Sequence, residues 1–375
     1  MNSNKSINKL RSIKTDGFPV TTLYLDVSNS QKLKNSKIVV HNLYKYKKEK
    51  TFYKNMDNAR IELVEQDIDI ITKYLNDKIS VEEKSLMIIS SSNSNIFEII
   101  KFNSKVDNNL VIQDAVYLRP LLEAKSAQRK YGIVLIDQGK AKIFERNFNS
   151  VNELFSVENI LSNDRNNSGF EGRDERKNER KHEENLHRHY KNVSQSLLEI
   201  DKKKKFNWIV LGGKNQIFND FQKYIDDSQK EKIKTDIVIE PSAKINEVME
   251  IIQKTEPKMR NLFEKNLLDK LNDEFYNDQK GVLGIKQVEE ALEEGKVDTL
   301  IIKEDFHQKG RICKKCGYST EDEVNICPRC DNKMERTVDI SDDLVHSALK
   351  INANIEYVAI DMGKYDPIAA ILRYN

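Results

Sequence analysis

Cys313-Lys-Lys-Cys-Gly-Tyr-Ser-Thr-Glu-Asp-Glu-Val-Asn-Ile-Cys-Pro-Arg-Cys330 contains all four cysteines of this 375-residue chain. Two Cys-x-x-Cys pairs, ten residues apart, each present two thiolates from a tight turn, and together they complete the four-sulfur shell of a tetrahedral ion. The spacing predicts a zinc ribbon over residues 310–334, with Cys313, Cys316, Cys327 and Cys330 as ligands. Such a set leaves no position for a reacting water, so the Zn²⁺ is expected to hold a fold and not to perform chemistry. Two disulfides, free buried thiols or an iron–sulfur cluster are the competing readings. Disulfides need an oxidising compartment, and the opening Met1-Asn2-Ser3-Asn4-Lys5 lacks the apolar core of a secretory signal.

Outward from the ribbon, the pattern is that of a small α/β sandwich. Val288, Ala291 and Leu292 fall at helical spacing, and residues 297–302 form an apolar strand. Beyond the ribbon, Leu344, Val345, Ala348 and Leu349 mark another helix, followed by strands over 355–360 and 368–372. The ribbon is thus inserted between a strand and the next helix. Upstream, Tyr131-Gly-Ile-Val-Leu-Ile-Asp137 turns at Gln138-Gly139 into a returning strand over 141–145. Charged residues 173–190 lead into Val193, Leu197 and Ile200 of a long helix, then Trp208-Ile-Val-Leu-Gly212-Gly213 is a strand ending on glycines. A further strand is read at 237–239, and a long helix starts at Ile245, with Pro257 kinking or ending its first part. At the N-terminus, residues 18–27 alternate as a strand and a lysine-rich stretch follows. Ile61, Val64, Ile68, Ile71 and Leu75 then mark an amphipathic helix, with strands near 86–90, 96–102 and 111–118 and a polar segment over 123–130. The fold class is α/β, in three α/β domains over 1–126, 127–278 and 279–375.

Composition describes a highly charged chain with 38% hydrophobic and 33% charged residues and a net charge of +2. No apolar run is long enough to cross a bilayer, so no membrane partner and a cytoplasmic location are expected. Net charge does not advertise nucleic acid, but local clusters do. Lys45, Lys47 and Lys48 belong to a lysine-rich segment interleaved with Tyr44, Tyr46 and Tyr53, and phosphate backbones and unpaired bases favour such patches. The competing reading is a chain rich in Lys, Asn and Ile throughout.

The C-terminal stretch Gly284-Ile-Lys-Gln-Val-Glu-Glu-Ala-Leu-Glu-Glu-Gly295-Lys-Val-Asp-Thr-Leu-Ile-Ile302, the four-cysteine ribbon, residues 353–361 and Ile368-Ala-Ala-Ile-Leu-Arg-Tyr374 resemble the third domain of the archaeal and eukaryotic class-I peptide chain release factor and Pelota superfamily. Its middle domain is resembled by the Ile-Asp hairpin, the long helix after a loop and the strand ending in Gly212-Gly213. The resemblance covers about two thirds of the chain and is loose at the N-terminus. It implies an RNase H-like middle domain and an L7Ae/L30e-like last domain carrying the ribbon. It also implies a bacterial member that enters the ribosomal A site as a transfer-RNA mimic, contacts rRNA and offers its third domain to a translational GTPase such as elongation factor Tu.

Release factors of that superfamily hydrolyse peptidyl-tRNA with a Gly-Gly-Gln tripeptide in the loop before the long middle-domain helix. The glycines let backbone approach the ester, and a backbone amide with the Gln positions water and the developing charge. Here that loop reads Asn163-Asp-Arg-Asn-Asn-Ser-Gly169-Phe-Glu-Gly172-Arg-Asp-Glu-Arg176, and Gly-Gly-Gln occurs nowhere. Gly212-Gly213-Lys214-Asn215-Gln216 follows a strand and reads as a packing turn. No catalytic residue is assigned. Gly169, Gly172, Arg173, Arg176, Arg180, Lys181 and Arg188 are the candidate RNA contacts, against the reading of a self-paired solvated helix laced with Glu183 and Glu184. His182, His187 and His189 stand at spacings that cannot converge on a metal from one helix. The Asn-Ile-Lys-Ser loop of stop-codon readers is missing, and Asn35-Ser-Lys-Ile38 only shares some residues with it. The expectation is a non-catalytic A-site factor in ribosome hibernation or rescue. The rivals are a peptidyl-tRNA hydrolase with a divergent loop, and an RNA-binding adaptor that never enters the A site.

Overall fold

The computed structural model describes residues 10, 18–50, 56–76, 83–102, 104–127, 129–147, 150–158, 173–277, 279–337, 339–363 and 366–374. The chain forms two compact units, one made of Met1–Ala127 with Glu264–Asn375 and the other of Gln128–Phe263.

In the first segment of unit 1, β1 (Val20–Asp26) is followed by helices α1 (Ser30–Lys50) and α2 (Asn58–Asn76), strands β2 (Ser85–Ser91), β3 (Ile96–Phe102) and β4 (Asn109–Gln113), and α3 (Arg119–Ala127). The strands pair antiparallel in the order β3-β2-β1-β4. Every residue of β1 and β2 is buried, because both faces of the sheet are covered. On one face Leu23, Leu25, Leu86 and Ile88 meet Val40 of α1 and Val64 and Ile71 of α2. The lysine-rich stretch is therefore a helix. Only the first part of the strand expected over 111–118 is extended, and the polar segment expected over 123–130 is largely helix α3.

Unit 2 contains β5 (Tyr131–Ile136), β6 (Lys140–Asn147), β7 (Ser150–Glu158), α4 (Arg173–Lys204), β8 (Trp208–Gly212), α5 (Asn215–Gln222), the single turn α6 (Asp227–Lys230), β9 (Ile233–Ile237) and α7 (Ile245–Tyr276), whose residues from Glu264 onward belong to unit 1. The sheet order is β7-β6-β5-β8-β9, antiparallel across β5 to β7 and parallel from β5 through β9. Val134, Ile136 and Ile143 on one face pack against Tyr190, Val193 and Leu197 of α4, while Ile133, Leu135 and Trp208 on the other meet Val248 and Ile252 of α7. The charged residues from Arg173 are in helix α4, where the solvated-helix reading puts them. Two expectations are corrected. The strand read at 237–239 ends at Ile237, and Val238 is 78% exposed. Pro257 does not end α7, which runs through it because apolar faces on both sides of the proline are buried, Val248 and Ile252 before it and Met259 after it.

The second segment of unit 1 continues with β10 (Gly281–Leu283), α8 (Ile285–Glu293), β11 (Val297–Lys303), β12 (Gly310–Cys313), β13 (Ser319–Thr320), β14 (Met334–Thr337), α9 (Ile340–Lys350), β15 (Asn354–Val358) and β16 (Ile368–Leu372). A mixed sheet runs β10-β16-β11-β15, and the ribbon is a separate antiparallel sheet, β13-β12-β14, between β11 and α9. One buried cluster joins Val20, Tyr24 and Met87 of the first sheet, Leu118 and Leu122 around α3, and Val288, Leu300 and Leu344 of the C-terminal segment. The two ends of the chain thus build one core.

Candidate functional site

The ribbon is two copies of one local design. In the first knuckle Cys313 N–H donates to Tyr318 O and Gly317 N–H to Cys313 O, each at 2.8 Å; in the second, Cys327 N–H donates to Asn332 O at 2.8 Å and Asp331 N–H to Cys327 O at 3.0 Å. The residue after each second cysteine is left-handed, Gly317 at φ +84° and Asp331 at φ +55°. This folding brings the four Sγ atoms within 4.8 Å of one another, with Cys313–Cys330 at 3.4 Å and Cys316–Cys327 at 3.5 Å. A tetrahedral zinc with bonds of about 2.3 Å sets its sulfurs about 3.8 Å apart. The four thiols are free, so the donor set fits such an ion and not a pair of disulfides. Among the described residues this is the only cluster of metal-ligating side chains. Arg329, between the last two cysteines, fixes the ribbon to α8. Its guanidinium donates to Glu289 at 2.7 and 3.1 Å, reaches Glu293, and stacks over Tyr318 at 4.6 Å. Burial pushes Glu289 up to about 7 even with that partner.

The ribbon is also clasped at its base by a polar network that sequence reading missed. Arg119, the first residue of α3 and 1% exposed, donates from Nε to Glu123 at 2.6 Å and from one terminal nitrogen to Ser341 Oγ at 2.9 Å, Asp339 at 3.2 Å and the Phe306 carbonyl. Asp339 caps α9 by accepting from Ser341 N–H at 3.0 Å and its hydroxyl at 2.6 Å. One turn on, Asp342 accepts from Leu118 N–H at 3.1 Å and Gln113 at 3.2 Å, and His346 contacts Val116 O at 2.8 Å. Burial first, then the Asp339 charge, pushes Asp342 up to about 7, while burial lowers His346. The cap signal Asp339-Ile-Ser341 was visible in the sequence; its partners, some 220 positions away, were not.

The candidate RNA contacts lie in both units. Gly169 and Gly172 fall outside the described residues; Arg173 and Arg176 stand in the first turns of α4, their side chains outside the description. Arg180, Lys181 and Arg188 are exposed, with Arg188 donating to Asn185 at 2.8 Å. The histidines of α4 diverge, His187 to the Tyr224 hydroxyl at 3.0 Å and His189 into the core at 2% exposure. In unit 1, Lys45 is exposed, Lys48 pairs with Glu65 at 2.8 Å, and Lys47 is half-buried beside a cleft. Gly212 and Gly213 are structural. A Cβ on Gly212 would stand 2.2 Å from Leu135 Cδ2, and one on Gly213 2.4 Å from the Ile136 carbonyl.

Residues 117–258 match the model of the bacterial archaeo-eukaryotic release factor family 10, and residues 262–375 match eRF1 domain 3. Peptide chain release factor subunit 1 of Methanocaldococcus jannaschii is 26% identical over 294 residues, covering 69% of each chain. Among solved structures, the C-terminal domain of the Methanosarcina mazei peptide chain release factor is 27% identical over 36% of this chain and 98% of that one, with a TM-score of 0.27. Archaeoglobus fulgidus Pelota is 15% identical over 77% of this chain and 80% of that one, with a TM-score of 0.32. Residues 117–258 are thus similar to the bacterial archaeo-eukaryotic release factor family and residues 262–375 to the third domain of eRF1, which makes the chain a distant homologue of the archaeal release factors.

Proposed function

We propose that this chain binds the ribosomal A site as a transfer-RNA mimic in hibernation or rescue and does not hydrolyse peptidyl-tRNA. The observation that carries the reading is a release-factor sequence matched from residue 117 to the end that contains no Gly-Gly-Gln. Without that tripeptide, binding and not bond cleavage is the remaining use of the body. Exposed Lys45, Lys48, Arg180, Lys181 and Arg188 offer phosphate contacts, and Gly169, Gly172, Arg173, Arg176 and Lys47 complete the proposed RNA-facing set. The finer assignments belong to the same proposal: an RNase H-like middle region, an L7Ae/L30e-like end, Zn²⁺ on the four cysteines, a cytoplasmic location and a translational GTPase such as elongation factor Tu as partner. When bound, the ion would supply no chemistry beyond cross-linking the two knuckles.

Two measurements test this reading. Tagged protein should co-sediment with ribosomes from stressed cells, with association falling steeply as salt rises, and should release no peptide from programmed ribosomes. Failure to co-sediment at every growth stage overturns the assignment. Peptide release that disappears in Gly172→Ala makes the chain an enzyme.

A further inference from the structure

The sulfur–sulfur contacts of the ribbon at 3.4 and 3.5 Å both run from one knuckle to the other, Cys313 to Cys330 and Cys316 to Cys327. Each joins an accessible thiol to a buried one. Cys316 is exposed and meets buried Cys327, while Cys330 is partly exposed and meets buried Cys313. The chain has no fifth cysteine, so within it an oxidised sulfur here can be resolved only by another of these four. An accessible sulfur beside a resolving cysteine is the arrangement in which oxidation by a peroxide ends at a disulfide and goes no further. The knuckles are also tied to different parts of unit 1. Lys314, between the cysteines of the first, pairs at 3.2 Å with Asp114, which follows β4. Arg329, between those of the second, donates to Glu289 of α8 at 2.7 and 3.1 Å. A covalent bond from knuckle to knuckle keeps the two ties together as an ion would.

We propose that the ribbon is a thiol switch for hydroperoxides, in which two cross-knuckle disulfides, Cys316–Cys327 and Cys313–Cys330, replace the ion as its cross-link. This rests on the zinc reading of the four cysteines and not on the ribosome reading. The Cys316 sulfur attacks one peroxide oxygen, the O–O bond breaks, the departing hydroxide takes a proton to become water, and Cys316 is left as a sulfenic acid. The Cys327 thiolate then attacks that sulfur, the S–S bond forms, and the second oxygen leaves as hydroxide and is protonated to water. Cys330 and Cys313 repeat the sequence with a second peroxide. Four thiolates, two peroxides and four protons thus give two disulfides and four waters, and no thiolate remains to hold Zn²⁺. Because the new bonds run between the knuckles, the clasp of Arg329 on α8 survives oxidation, whereas a chelator removes the ion and leaves no link.

The test treats purified, reduced full-length protein with hydrogen peroxide. Released zinc is followed with a colorimetric chelator, disulfide connectivity by peptide mass spectrometry, and the unit 1 transition by calorimetry. Two equivalents of peroxide should release one of zinc, and the mapped bonds should be the two cross-knuckle ones. The unit 1 transition should stay above that of chelated, reduced protein. A sulfenic-acid trap present during oxidation should label Cys316 and Cys330, and a dithiol with added zinc should restore the starting state. Bonds within a knuckle, label on Cys313 or Cys327, sulfinic acid as the main product, a transition no higher than that of chelated protein, or zinc retained at peroxide that oxidises free cysteine each overturn this proposal alone. Reduced protein that binds no zinc overturns the zinc reading and this proposal with it.

Discussion

Replacing Arg119 by methionine keeps most of the buried volume and removes the charge that organises the seam of unit 1. The guanidinium neutralises Asp339, itself 3% exposed, and serves Glu123, Ser341 and the Phe306 carbonyl at the same time. Breaking a buried pair on one side leaves an uncompensated charge and costs about 3–5 kcal/mol. Surface pairs such as Lys48–Glu65, with side chains 52% and 46% exposed, are screened by solvent and serve as the control. For a folding unit of this size each kcal/mol moves the melting temperature by about 2–4 °C, so Arg119→Met should lower the unit 1 transition by about 10 °C in scanning calorimetry. One guanidinium nitrogen of Arg119 is buried without a hydrogen bond, so the native seam is already imperfectly satisfied. The double variant Arg119→Met with Asp339→Asn should therefore recover more than half of the loss, since removing both charges is far cheaper than removing one. A single-variant cost below about 1 kcal/mol, or no recovery in the double variant, refutes the assignment of the seam to this charge pair.

Asp342 is held protonated to about 7 by burial and by Asp339, whereas the unfolded chain gives up that proton near its ordinary value. Its contribution is therefore fully present below about pH 4 and is lost as pH rises toward 7, at up to about 1.4 kcal/mol per pH unit. Asp342→Asn should flatten that slope in denaturant midpoints taken from pH 5 to 8; Asp343, also raised to about 7, leaves a residual slope, and lowered His346 acts in the opposite sense on the acid side. Purified protein should contain one equivalent of zinc by mass spectrometry, lost in Cys316→Ser, and chelation should lower the unit 1 transition because Glu289 loses Arg329 as the second knuckle unfolds. Glu289→Gln should reduce the chelation effect, and an undiminished effect would separate the ribbon from α8. Gly212→Ala should destabilise unit 2 by about 1–3 kcal/mol through the clash with Leu135 and Ile239, measured by urea unfolding; a neutral result would remove the packing role of this glycine.

The four-cysteine cluster was legible because its requirement is local: four thiols within eighteen residues, brought together by knuckle turns with Gly317 and Asp331 in left-handed geometry. Strand β11 and helix α8 were legible for the same reason, their apolar periods being short and strong. Helix α1 was not, because its lysines dominate the composition and only Ser36 and Val40 along it are fully buried. The misplacement of β9, read at 237–239 but running over Ile233–Ile237, came from taking Ile237-Val238-Ile239 as a buried run when Ile237 and Ile239 are buried and Val238 is exposed. Pro257 signalled a break that the packing of Val248, Ile252 and Met259 overrides, tertiary burial outweighing local propensity. The Arg119 seam had no sequence signal beyond the cap on α9, since charged partners so far apart leave no periodicity.

That seam also explains how a unit can be built from both ends of a chain. The sequence leaves unit 1 after Ala127 and re-enters at Glu264, and each crossing carries a buried charge that is tied down inside unit 1. Before the exit, Arg119 and the backbone of Val116 and Leu118 are held by Asp339, His346 and Asp342 of the α9 region. After the return, the Glu264 carboxylate, 2% exposed, accepts from the amides of Ala359 and Ile360 at 2.9 and 3.0 Å, just beyond β15. Helix α3, which precedes the middle unit in sequence, packs on that same strand and sends Leu122 and Ala124 into the core shared with Val288 and Leu344. The third-domain match begins at residue 262, yet the core it describes is completed by residues 116–124. Because the anchoring groups are charges in apolar surroundings, each is cheap only while its partner is in place, and the two crossings hold as specific contacts where apolar packing alone would tolerate slippage.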